Sequence, residues 1–141
     1  MSDAIISVEG KRRTESGKQN VNQGRLPLEF RDRTKAFASS VIHLFAELPK
    51  QREEVRVLGK QLLRSGTSVA AHLREASRAR SDDEFVSKLG GALQEADESQ
   101  LWLELLRDDC GIRNDSLGPL HREADELMAI FVTMIKRTKG L

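Results

Sequence analysis

The sequence predicts an all-α protein: an antiparallel, up-down-up-down four-helix bundle over residues 30–141, preceded by a flexible N-terminal extension over residues 1–29. Three observations carry that expectation. Apolar residues recur at alternating spacings of three and four in four separate stretches, the pattern of a helix with one buried stripe. Short turn-forming segments join those stretches, so successive helices run antiparallel. Of the 141 residues, 32% are charged, only 4% are aromatic and none is Tyr, a composition that favours amphipathic helices over a β-sandwich. The length suits a single domain.

Between Gly10 and Asn20 the extension has no apolar period and cannot bury enough surface to offset its ordering entropy. Its Lys11-Arg12-Arg13 run reads as a solubilising tail, or as an electrostatic contact with a partner. The first helix begins after Pro27, with Phe30, Thr34, Phe37, Val41, Leu44 and Leu48 on one stripe; Pro49 stops it, since proline lacks the donor to continue the ladder. The second runs from about Glu53 to about Arg78 through Val55, Leu58, Leu62, Ser65, Val69, His72 and Ala76. The third opens at Ser81-Asp82-Asp83-Glu84, a capping box, and continues through Phe85, Leu89, Ala92, Ala96, Ser99, Leu103 and Leu106 to a left-handed terminator at Gly111. The fourth starts near Ser116, tolerates Pro119 in its first turn, and carries Leu117, Leu120, Ala124, Leu127, Phe131 and Met134.

Small residues suggest a seam of close backbone approach. Ser65, Gly66, Ser68, Ala70 and Ala71 cluster in the second helix, and Gly90-Gly91 sits in the third, where each glycine costs about 1 kcal/mol against Ala. The segments Leu101–Leu106 and Leu127–Ile135 are apolar almost all round, more than one stripe requires. That excess predicts a homo-oligomer, with Trp102, Ile130 and Met134 at the subunit interface.

Chemistry is sparse. The total of 23 basic and 22 acidic residues leaves a formal charge of +1, against a generally polyanion-coating protein. The single cysteine, Cys110, can form neither an internal disulfide nor a thiolate zinc site and suits a reducing, cytoplasmic compartment. Neither a membrane-length apolar run nor a signal-peptide order is found. No His of His43, His72 and His121 follows a Glu by three residues, so the di-metal bundle motif is missing. His72 reads as a hydrogen-bonded core or interface residue and Cys110 as a bystander thiol. The tetrads Glu95-Ala96-Asp97-Glu98 and Glu123-Ala124-Asp125-Glu126 read as salt-bridged faces rather than metal sites. Neither an enzyme activity, a metal nor a cofactor is expected.

Charge is uneven along the chain. Residues 51–80 hold seven basic and three acidic groups, and residues 81–110 hold two and nine. Up-down topology brings the start of the first helix and the ends of the second and fourth to one pole. There Arg31, Arg33, Lys35, Arg74, Arg78, Arg80, Lys136, Arg137 and Lys139 face Asp32, Glu75, Asp82, Asp83 and Glu84. Such a pole can hold a phosphate backbone, although cations also favour helix C-termini through the macrodipole. With few exposed aromatics, contact with RNA or DNA would be to the backbone rather than by base stacking. The alternative is a protein-only interaction module of the same shape.

The block from Gln61 to Ala76, then Ala79-Arg80-Ser81, Glu84-Phe85 and Lys88-Leu89-Gly90, together with Glu95–Glu98, Leu101–Leu106 and Glu123–Leu127, resembles the bacterial four-helix bundle protein family. That family includes proteins encoded in intervening sequences of large-subunit ribosomal RNA genes and the accessory variability determinant of diversity-generating retroelements. The resemblance spans roughly residues 30–138. It implies a barrel-like homopentamer and, from the retroelement member, a basic surface engaging nucleic acid and a reverse transcriptase.

Overall fold

The computed structural model describes residues 24–141; the run Lys11–Arg13 and most of the expected extension lie outside them. Four helices follow in chain order: α1 (Leu28–Glu47), α2 (Glu53–Ser77), α3 (Asp82–Asp108) and α4 (Leu117–Lys139). Among the described residues there is no strand, and no helix is long and apolar enough to cross a membrane.

Each helix packs antiparallel on its successor, and α2 with α3 forms the most extensive pair. The expected stripes face inward. Val41, Leu44, Val55, Leu62, Val69, Leu89, Ala96 and Leu106 are fully buried, and burying each Leu or Val contributes about 1.5–3 kcal/mol against leaving it in water. The polar stripe positions are satisfied locally. Ser65 and Ser99 share a hydrogen bond of 2.8 Å across α2 and α3, and the Ser99 hydroxyl also donates to the Glu95 carbonyl. Thr34 donates its hydroxyl to the Phe30 carbonyl one turn back.

The helix ends follow the sequence signals. The Ser81 hydroxyl accepts the Glu84 N–H at 3.1 Å, closing the N-terminus of α3. At the other end Gly111 takes φ +67°, and the Ile112 N–H returns to the Leu106 carbonyl, a left-handed stop that L side chains other than Asn resist. The turn between α1 and α2 is tied down by Lys50, whose ammonium donates to the Phe45 and Leu48 carbonyls. Arg52 reaches from the same turn to the Cys110 carbonyl at 2.7 Å.

The small-residue seam resolves into specific contacts. Gly66 lies buried against Val41 of α1, where a Cβ would stand 2.8 Å from Val41 Cγ2. Gly91 makes room for the His72 ring, its hypothetical Cβ falling 3.0 Å from Nδ1. Gly90 meets only open space, so one glycine of the pair serves the seam and its neighbour does not.

The apolar excess of α4 also resolves within one chain. Ile130 and Met134, expected at a subunit interface, are 1% and 8% exposed without any partner, so their burial requires no second copy. The stripe is wide because α4 lies against α3 along one flank and meets α1 more sparsely along the other. Trp102 is half-buried against the core, with its indole Nε1 enclosed and without a hydrogen-bond partner among the described residues. The exposed large apolar side chains on the helices are instead Ile42, Val57 and Leu101.

Candidate nucleic-acid interface

Of the nine cations expected at one pole, three come together around a single feature. An open groove of about 490 Å³ runs where α1 and α2 meet on the outer surface, lined by Lys35, Ala70, Ala71, Arg74, Glu75 and Arg78. The local sequence explains its form. Arg74 and Arg78 are four residues apart, so their side chains rise from the same face of α2. Ala70 and Ala71 sit one turn earlier and leave the floor low. Lys35 projects from α1 on the other side and is exposed, as are Arg74 and Arg78.

Electrostatics decide which charges are available. Glu75, the carboxylate in the groove, is bound to Lys88 of α3 at 2.8 Å. The hydrogen bond from Lys88 holds the Glu75 carboxyl below the usual carboxylate range, and Glu75 in turn raises the Lys88 ammonium. The contribution of Glu75 is therefore present above the ordinary carboxylate value and lost as pH falls through its lowered one. That of Lys88 is present below the ordinary lysine value and lost as pH rises through its raised one. Around neutrality both are charged, and Glu75 is committed to α3. Among the described residues no carboxylate ties down Lys35, Arg74 or Arg78 in the same way, so the groove they line is net cationic.

The other expected cations go elsewhere. Arg33 makes a two-pronged contact with Glu123 of α4 at 2.7 and 2.8 Å, with Glu126 at 3.6 Å. Hydrogen bonding to Glu123 raises its pKa against the opposing effect of burial, so this charge is spent on joining α1 to α4. Arg31 is half-buried, with an enclosed Nε. Arg80 lies exposed beyond α2, and Lys136, Arg137 and Lys139 occupy the exposed last turn of α4, where the macrodipole favours cations. None of these four lines the groove.

One participant at this pole escaped sequence reasoning. Arg25, assigned to the extension, donates its backbone N–H to the Ser77 carbonyl at 2.8 Å and its Nε to the Ala79 carbonyl at 3.1 Å. Its Nη1 meets Asp82 at 2.8 Å, and its guanidinium lies over the Phe85 ring at 5.4 Å. The available signal was Gly24-Arg25-Leu26-Pro27: Leu26 and Pro27 are buried, and Gly24 takes φ +70° with the Ser77 carbonyl where a Cβ would go.

The remaining candidates are structural. Glu95 and Glu98 both face Arg64, and Glu123 and Glu126 face Arg33, so both tetrads form salt-bridged faces. The His121 Nε2 lies 2.8 Å from Glu104 Oε2, linking α4 to α3. Cys110 is buried. Among the described residues no group of three or more His, Cys, Asp and Glu side chains is arranged to hold a metal.

Comparison with known proteins agrees with this architecture. A family model described as 23S rRNA-intervening sequence protein matches residues 27–133. A crystal structure of a protein of unknown function from the S23 ribosomal protein family of Bacteroides thetaiotaomicron is similar at 35% identity and a TM-score of 0.69. The match covers 75% of this chain and 97% of that one. No curated protein matches the chain.

Proposed function

Because the chain belongs to the 23S rRNA-intervening sequence protein family, we propose that it is a non-enzymatic helical scaffold whose α1–α2 groove holds the phosphate backbone of RNA. The observation that carries this reading is the convergence of Lys35, Arg74 and Arg78 on one open groove whose carboxylate is already neutralised by Lys88. Three cations without a carboxylate partner among the described residues, beside a low alanine floor, suit an extended polyanion. The groove lining includes no aromatic side chain for base stacking, so binding should be largely insensitive to sequence. A reverse transcriptase engaged on the same nucleic acid would approach this face. Fluorescence anisotropy with structured RNA tests the reading: replacing Lys35, Arg74 and Arg78 by Gln should weaken binding about equally for unrelated sequences.

The scaffold is further proposed to be oligomeric, with five subunits by resemblance. Support comes from Ile42, Val57 and Leu101, each close to half exposed, and from half-buried Trp102. Light scattering at micromolar concentration should give a multiple of the 15.8 kDa chain mass. A well-folded monomer would contradict this part of the proposal while leaving the groove intact.

A further inference from the structure

Arg78 occupies the least regular position of the three groove cations. It is the C-cap of α2, with φ −103° and ψ 11°, so no further helical turn holds its backbone in place. Its own N–H donates to the Glu75 carbonyl at 3.1 Å, but the carbonyls beside it are among those a helix end leaves without intrahelical partners. Arg25 supplies the missing donors. Its backbone N–H donates to the Ser77 carbonyl at 2.8 Å, and its side-chain Nε donates to the Ala79 carbonyl at 3.1 Å. One residue thus grips the chain on each side of Arg78. The grip is itself braced: Nη1 meets Asp82 at 2.8 Å, and the guanidinium lies over the Phe85 ring at 5.4 Å. Arg74 lies one turn earlier inside α2, and Lys35 lies well inside α1, so neither depends on such a brace.

We propose that Arg25 is a positioning residue for the groove, clamping the backbone on both sides of Arg78 so that its guanidinium is presented to phosphate before binding. The inference rests on the reading of the groove as a phosphate site, and it names what keeps that site ordered. Fixing the backbone under Arg78 in advance removes part of the ordering cost that binding otherwise incurs. The fork of an arginine is needed for this. A lysine at position 25 keeps the charge, but its single ammonium lacks the planar donor set that spans Ala79 and Asp82 together. Because Nη1 is already committed to Asp82, Arg25 acts through its neighbour rather than as a fourth phosphate contact.

Double-mutant cycles in the full chain test it, by anisotropy with structured RNA from low to physiological salt. Arg25→Gln should weaken binding roughly three- to tenfold, the effect of ordering one long side chain. The slope of log affinity against log salt should become shallower by about one unit. Arg25→Lys should lose nearly as much, which assigns the lost contact to Arg78 rather than to the charge at position 25. Beside Arg78→Gln, Arg25→Gln should cost little more, whereas beside Lys35→Gln its full effect should persist. Both Arg25 variants keep the backbone bond to Ser77, so circular dichroism should show parental helix content. Parental affinity in Arg25→Gln, full rescue by Arg25→Lys, or an undiminished loss beside Arg78→Gln would overturn the clamp. If any of these accompanies lost binding in the triple groove variant, the groove reading stands and the clamp alone falls. If the parent itself binds no RNA, both fall together.

Discussion

Gly66→Leu is expected to lower the melting temperature by about 10 °C or more, corresponding to roughly 2–3 kcal/mol, at the upper end of overpacking costs. Even a Cβ at position 66 would approach Val41 Cγ2 to 2.8 Å and Cγ1 to 3.0 Å. Val41 cannot yield: it is β-branched, stiff at χ1, and 0% exposed. The larger side chain must therefore push α1 away from α2 along the pair's whole length. Two companion variants separate this contact from the general dislike of helices for glycine. Gly90→Ala meets nothing within 4 Å and should gain up to about 1 kcal/mol from helix propensity alone. Combining Gly66→Ala with Val41→Ala should relieve the clash, at the cost of the methyl groups removed from Val41. Thermal unfolding by circular dichroism measures all three, and a Gly66→Leu protein melting with the parent would show that α1 and α2 do not meet there.

Phe131→Ala should be more damaging still, by about 3–5 kcal/mol. Phe131 is 1% exposed and is the largest side chain so fully enclosed. Removing the ring leaves a cavity that neighbouring helices fill only in part, because a close-packed core relaxes incompletely around a deletion. Against a total stability of about 5–15 kcal/mol, the loss would leave a large unfolded fraction at moderate urea concentrations. Met128→Ala on the same helix is the contrast: its side chain is only partly buried and should cost markedly less. Equal denaturation midpoints for the two variants would place Phe131 outside the core.

Much of the fold was legible because heptad spacing is a local property. Phe85, Leu89, Ala92, Ala96, Ser99, Leu103 and Leu106 form the buried stripe of α3 in the order their spacing predicts. The cap at Ser81 and the stop at Gly111 are likewise encoded within a few residues. What escaped depends on how helices are rotated against one another. Gly90 and Gly91 are adjacent in sequence but point about 100° apart, so only one can face α2. The width of the apolar face of α4 reflects two flanking helices, which one helix's periodicity does not reveal; Ile130 and Met134, read as interface, are buried within the single chain. Charge counting failed similarly at Arg33, whose partner Glu123 is 90 residues away. At the opposite pole Lys50 and Arg52 hold backbone carbonyls of the turns. They are unsuitable as a neutral charge control.

The account turns on whether the α1–α2 groove binds phosphate, and one salt titration tests it most directly. RNA affinity is followed by anisotropy from low to physiological salt for the parent, for Lys35→Gln/Arg74→Gln/Arg78→Gln, and for Lys60→Gln/Arg113→Gln. The last pair is exposed; Arg113 lies in the loop between α3 and α4, and Lys60 lies 14 residues along α2 from Arg74, about 21 Å away. Glu75→Gln is added because it removes the carboxylate from the groove and releases Lys88. The predicted result is a loss of roughly tenfold or more for the groove variant, with a salt slope shallower by about two to three units. Lys60 and Arg113 should matter little, and Glu75→Gln should tighten binding. No binding by the parent at low salt, or equal losses for the groove and control variants, would contradict the claim and leave a scaffold that recognises only proteins.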